Sequence, residues 1–429
     1  MNNRQMMERD LKTIWHPCTQ MKDHEQIPII PIKRAEGIYL YDFEDNAYID
    51  SISSWWVNLF GHANPYIANR ISEQAKSLEH VIFAGFTHEQ IVRLSERLTT
   101  LTGLDKCFYA DNGSSAVEIA LKMAFHYHKN QGKKRPYFLS LKNSYHGETL
   151  GALAVGDVEL YKDTYKEIMI ETLQVAVPKD RSIEAAKEAL EDLERMLEQK
   201  GELISAMIVE PLVQCAGYMH MYHPYYLKGA KELCERYDIF FIVDEIAVGF
   251  GRTGTMFAYE QANIKPDFIC LSKGLTGGFL PLSVVLTTDR VYGGFYCDYL
   301  EYKAFLHSHS YTGNALACAA ANATLDIFEQ DDVLEKNKVK ADYIAKKIEP
   351  FKDLKNVQEV RQYGMIAAIE LSGYDPSERV GLRINQECLQ KGVFVRPLGN
   401  VVYFMPPYII TFEEIDKMID TVYEVVCRL

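Results

Sequence analysis

"FICLSKGLTGG", residues 268–278, sets an unbroken apolar run against Ser272, a single Lys273 and a turn carrying Gly274, Gly277 and Gly278. A short apolar run bounded by turn residues reads as a strand buried on both faces. The pattern recurs in "YFLSL" (137–141), "SAMIVE" (205–210), "IFFIVDE" (239–245) and "SVVLTT" (283–288). Helical stretches fall at 66–79, 88–100, 183–199 and 225–236, and "CFYADNGSSAVEIALKMAFHYH" reads as strand, turn and helix. Continuous apolar strands alternating with helices imply an α/β fold around a largely parallel sheet.

The two ends differ from this middle. "GIYLYDFEDNAYID" (37–50) reads as a hairpin turning at Glu44-Asp45-Asn46, with Asn46 able to take the left-handed position. After a helix at 314–329 come a helix at 333–350, short strands in "GMIAAIEL" and "VFVRP", and a last helix from 412. The expected division is a large domain over 63–328 and a small α+β domain built from 1–62 and 329–429.

With 429 residues the chain can bury a large core and a smaller one, and 48% hydrophobic with 24% charged residues is ordinary for a globular enzyme. A net charge of −13 argues against nucleic acid, whose phosphates need a basic footprint. No basic-then-apolar leader and no long apolar run stands out, so a cytoplasmic protein without membrane contact is expected. Nine cysteines are scattered singly, with no C-x-x-C pair, so neither disulfides nor a bound metal is expected.

In open α/β sheets ligands sit beyond the carboxyl ends of the strands. Three features gather there: Asp244 ending "FFIVD", Lys273 ending "FICLSK", and Gly113-Ser114-Ser115 between a strand and a helix. Singly, each has a plain reading as a strand-end carboxylate, a snorkelling lysine or a helix cap. Together they match the needs of pyridoxal phosphate: a lysine for covalent attachment, an acid for the pyridine nitrogen, a helix end for the phosphate. "GFGRTG" (249–254) fits the dinucleotide pattern G-x-G-x-x-G, but Asp244–Ala247 separate it from the strand end and no helix opens at Gly254. It reads instead as an active-site loop carrying Arg252.

The ordered set "SSWW", "DNGSSAVEIALKMA", "YHGET", "IVEPLVQ", "VDEIAVGFGRTG", "CLSKGLTGG" and "HSYTGN" resembles the class III pyridoxal-phosphate aminotransferases over nearly the whole chain. "IWHPCTQM", "MYHP", "TGNALACAAANATL" and "VRPLGNVVYFMPPYI" are similar to the biotin-pathway branch, which aminates 8-amino-7-oxononanoate. The resemblance implies transferase fold type I, with a mostly parallel seven-stranded sheet, and a homodimer with shared active sites. Lys273 would carry the cofactor, Asp244 face the pyridine nitrogen, and Gly113 and Ser114 hold the phosphate. Tyr145 would stack on one ring face and Ile246 on the other, with Tyr145 counted among the catalytic residues. Ser310, with His309 and Ser308 beside it, would reach across from the neighbouring subunit.

Substrate recognition needs an apolar slot and a cation for a carboxylate. Trp55 and Trp56 offer the slot and Arg396 a bidentate fork, with Arg252 and Tyr403 as further candidates. Relatives that use S-adenosylmethionine typically carry Tyr where this chain has Cys18, and "HSHS" departs from the Gly-Pro-Thr form of part of the family. Cys18 lacks a ring and a phenol, which favours a slimmer amino donor such as lysine; the tryptophan pair resembles the adenosylmethionine type. The alternatives are another class III aminotransferase acting on an ω-amino acid or diamine, or a binding protein without turnover.

Overall fold

The computed structural model covers residues 1–429. Strands β1 (Ile32–Glu36), β2 (Tyr39–Asp42) and β3 (Ala47–Asp50) form an antiparallel meander. The β2–β3 turn places Asp45, not Asn46, in the left-handed region, at φ 61°. Asn46 serves the turn otherwise: its main-chain and side-chain N–H groups both donate to the Asp42 carboxylate, at 2.9 and 2.8 Å.

The central sheet holds β4 (Lys106–Ala110), β5 (Tyr137–Leu141), β6 (Leu173–Val175), β7 (Ile204–Val209), β10 (Phe240–Asp244), β11 (Phe268–Leu271) and β12 (Ser283–Thr287), in the order β4-β12-β11-β10-β7-β5-β6. A small hairpin, β8 (Val213–Gln214) with β9 (His220–Met221), lies outside it. Helices Gly113–Asn130, Ile183–Lys200 and Pro224–Arg236 alternate with its strands, as parallel pairing requires. β12 alone runs against its neighbours β11 and β4, because the turn through Lys273 is too short for a crossover. Alternation along β10 serves both faces: Phe240 and Ile242 pack with Ala116, Ile119 and Ala120 of the first helix, while Phe241 and Val243 enter the larger core on the other side.

The C-terminal part builds an antiparallel sheet from β13 (Val357–Tyr363), β14 (Ile366–Leu371) and β16 (Val401–Phe404). Between them β15 (Val393–Phe394) leaves to pair in parallel with β3, Val393 beside Ile49 and Phe394 beside Asp50. The two ends of the chain therefore share one sheet. Sequence reading did not register β6, β13 or the helices Asn3–Asp10 and Val380–Gln390; these are short, exposed on one side or polar.

Candidate active site

The carboxyl ends of β4, β7, β10 and β11 open into a cavity of about 490 Å³ lined by Gly113, Ser114, Tyr145, Asp244, Ile246 and Lys273 among others. Lys273 stands one residue beyond β11, after Ser272, and takes a left-handed backbone at φ 44°, a strained state for a residue with a Cβ. Its amine is enclosed: burial lowers the pKa, against the opposing pull of Cys215, Asp244 and Glu210. The Nζ lies 4.6 Å from the centroid of the Trp56 ring. An amine so held gives up its proton more readily than a surface lysine.

Asp244, only 5% exposed, pairs through Oδ2 with His146 Nδ1 at 2.8 Å and accepts from the Ile246 N–H at 3.1 Å. An ionised carboxylate can only accept, so Nδ1 carries the proton. His146 Nε2 is buried and has no partner. Below them Glu210 accepts from the N–H groups of Tyr145 (2.9 Å) and Cys215 (3.0 Å), and burial pushes its carboxyl up to about 7.

Across the cavity the helix Gly113–Asn130 begins with the Asn112 side chain accepting from Ser115 N at 3.0 Å. The first-turn N–H groups of Gly113 and Ser114 have no intrahelical acceptor and point outward with the positive end of the helix dipole. Ser114 Oγ is held by the N–H of Thr149 at 2.9 Å and lies 2.8 Å from its hydroxyl. A Cβ at Gly113 would stand 2.9 Å from Ile246 Cδ1, and one at Gly147, whose φ is 125°, would collide with Ser114 Oγ. The glycines keep the cradle open.

At the mouth the "SSWW" segment forms a left-handed turn, with φ of 53°, 45°, 71° and 73° from Ser53 to Trp56. Such backbone costs roughly 1–2 kcal/mol per residue, so it needs external ties. Ser53 Oγ donates to Met405 O (2.7 Å), Ser54 Oγ to Asp50 Oδ2 (2.7 Å), and Trp56 Nε1 to Tyr403 Oη (3.1 Å). The turn splits the pair: Trp56, 4% exposed, lines the cavity, and Trp55, 41% exposed, faces outward under the Arg396 guanidinium at 4.7 Å. Arg396 also donates to Cys18 O at 3.2 Å.

Two expected substrate contacts lie elsewhere. Arg252 is buried, its terminal nitrogens donating to the carbonyls of Pro406 (2.7 Å), Asn58 (3.1 Å) and Met405 (3.4 Å). That arginine ties the "GFGRTG" loop to the segments around Asn58 and Met405–Pro406. Tyr403 sits behind Trp56, which takes its phenol oxygen. Ser308 and Ser310 are exposed and outside the cavity lining of their own chain; Ser310 O accepts from His80 Nε2 at 2.8 Å. His309 Nδ1 lies 3.3 Å from Asp111 Oδ2 at the cavity edge.

A buried carboxylate opposite an enclosed amine, with an anion-binding helix end between open glycines, suits a cofactor that is at once an anion, a pyridine base and an aldehyde. The model of the family Aminotransferase class-III matches residues 19–426, and the chain belongs to that family. It is 56% identical over 427 residues, 98% of this chain and 97% of the relative, to adenosylmethionine-8-amino-7-oxononanoate aminotransferase of Helicobacter pylori. The protein of that name from Aquifex aeolicus is 42% identical, with 97% of each chain covered. A solved structure of the Methanocaldococcus jannaschii protein of that name superposes with a TM-score of 0.96 at 37% identity, covering 100% and 99% of the two chains. A pyridoxal-phosphate-bound amine transaminase from an uncultivated Pseudomonas species gives 0.92 at 29% identity over 97% and 98%.

The protein is thus an aminotransferase of transferase fold type I that works with pyridoxal phosphate. When bound, that cofactor draws electrons from the substrate carbon and so acidifies its proton. Lys273 is the enclosed amine of the cavity and Asp244 the buried carboxylate, paired with His146, that would face such a group. The residues that sequence reasoning missed are His146 and Glu210. Both stand inside the motifs "YHGET" and "IVEPLVQ", and an acid closing a mostly apolar strand was the available signal for Glu210.

Proposed function

We propose that the chain transaminates 8-amino-7-oxononanoate to 7,8-diaminononanoate, a step of biotin biosynthesis, by a ping-pong mechanism with S-adenosylmethionine as amino donor. The observation that carries the acceptor is the pairing of an exposed indole, Trp55, with the Arg396 guanidinium at the mouth: an apolar wall beside a cation suits a chain ending in a carboxylate. The names of relatives spanning the full length support both substrates. The reading takes Lys273 as the attachment and proton-shuttle residue, Gly113 and Ser114 as the phosphate site, and Tyr145 and Ile246 as the ring's two neighbours.

A homodimer completes the site in this reading. Tyr296, Tyr299, Leu300, Tyr302 and Leu306 are strongly exposed just before His309 and Ser310, an apolar stretch that a partner subunit would cover. No helix is long and apolar enough to cross a membrane. A second reading, with lysine as donor, is favoured by the small exposed side chain of Cys18. Single-turnover loss of the cofactor's visible band with each donor, followed by its recovery on adding 8-amino-7-oxononanoate, tests both halves. Recovery with ornithine- or 4-aminobutyrate-derived carbonyls and none with 8-amino-7-oxononanoate would overturn the acceptor.

A further inference from the structure

Beyond the residues expected from the sequence, Tyr161 joins the mouth. It sits on the short helix Glu159–Lys162, sixteen residues after Tyr145, and its ring centroid is 5.5 Å from that of Tyr145, with the planes at 60°. Its phenol neighbours the Cys18 thiol and feels the charges of Glu148 and Arg396. Cys18 is in turn tied to Arg396 through its carbonyl, and Arg396 lies on Trp55. A row of neighbours therefore runs from the cavity outward, from Tyr145 through Tyr161 to Cys18, whose main-chain carbonyl meets Arg396, and on to Trp55. Tyr145 has its hydroxyl engaged, donating to Glu148 Oε1 at 2.8 Å. A thiol is a weak partner, so the Tyr161 hydroxyl can exchange it for a stronger acceptor without leaving a strong hydrogen bond unmade.

We propose that Tyr161 is a specificity-determining residue that donates its phenol hydrogen to the distal carboxylate of the acceptor, sharing that carboxylate with Arg396 while its ring borders the methylene chain. The inference rests on the function proposed above, in which the acceptor ends in a carboxylate. Burial, with Cys18 next, pushes the Tyr161 phenol up to about 12, so it is a neutral donor throughout the working range. A charge-assisted hydrogen bond of this kind is stronger than the thiol contact it replaces. Small size at Cys18 then has a use, leaving room for the phenol and the carboxylate to meet.

The test compares Tyr161→Phe, Tyr161→Ala and wild-type holoenzyme with 8-amino-7-oxononanoate and with its methyl ester. Tyr161→Phe should raise KM for the acid about tenfold or more, leave kcat within about twofold, and leave KM for the ester unchanged. Tyr161→Ala should raise both KM values, since the apolar wall goes too. An unchanged KM for the acid in Tyr161→Phe, or equal increases for acid and ester, overturns the assignment. If wild type aminates neither compound, the function reading fails, and the cofactor's visible band is instead titrated with heptanoate and heptanol. A preference for heptanoate that Tyr161→Phe abolishes sustains the carboxylate site; a preference that persists overturns it.

Discussion

Removing the Arg396 guanidinium should weaken the acceptor and little else. Had the side chain been buried, truncation would strand a carboxylate and cost about 2–5 kcal/mol. The structure instead leaves Arg396 half-buried, lying on an indole that is itself 41% exposed, so solvent screens the pair. An exposed ion pair contributes up to about 1 kcal/mol, and a fork of charged hydrogen bonds raises this toward about 2 kcal/mol. Arg396→Ala is therefore expected to raise KM for 8-amino-7-oxononanoate about 10- to 30-fold, with kcat within about threefold. Arg396→Lys should recover only part, because an ammonium neither forks nor stacks on Trp55 as a guanidinium does. The assay is steady-state turnover at saturating donor with the acceptor varied. A KM within about twofold of wild type, or a fall in kcat at constant KM, would refute the reasoning.

Lys273→Ala should fold, lose the borohydride-sensitive visible band and turn over at least about a thousandfold more slowly; near-native turnover would remove Lys273 from the proton path. Asp244→Asn keeps the shape but not the charge, so it should slow each half-reaction while leaving most cofactor bound, as single-turnover rates and absorbance after gel filtration would report. Gly147→Ala puts a Cβ into Ser114 Oγ at a φ of 125°, and should weaken cofactor retention about tenfold or more in a dissociation assay; unchanged retention would mean the cradle yields. Glu245 is fully buried, and burial raises its carboxyl to about 8 from an ordinary 4.5, against the N–H groups of Ala258 and Tyr259 that it accepts. The folded state thus holds the proton more tightly. That stabilisation is full below about 4.5 and is lost as pH rises through about 8. The Tm of the protein should fall over this window, and the slope should flatten in Glu245→Gln; an unchanged slope would assign the effect elsewhere.

How much of this was legible depends on what signals each residue type leaves. The apolar runs of β5, β7, β10 and β11 announce strands buried on both faces, and the polar residues that end them, Asp244 and Lys273, mark the site. The antiparallel run of β12 is invisible in an apolar pattern, since direction is set by connection length. The left-handed turn at Ser53–Trp56 leaves no glycine to betray it; its ties reach Met405 and Tyr403, hundreds of residues away. Arg252 looked like a substrate arginine because nothing local separates a guanidinium that meets ligand from one that meets three carbonyls. Tyr161 was silent for the same reason: a tyrosine in a polar helix gains meaning only from Tyr145 beside it.

The pairing of β15 with β3 orders events during synthesis. The strands that carry Asp244 and Lys273 are complete long before Val393 leaves the ribosome, but Ile49 must wait for that residue with an unpaired edge. Closing so long a loop costs entropy that only the docked end repays, so this strand is a late addition. Arg396 follows it by two residues, and Trp55 follows β3 by five. A nascent chain is thus expected to hold the strands that frame the cofactor cavity before it owns substrate selectivity, which waits for Val393 and the residues after it.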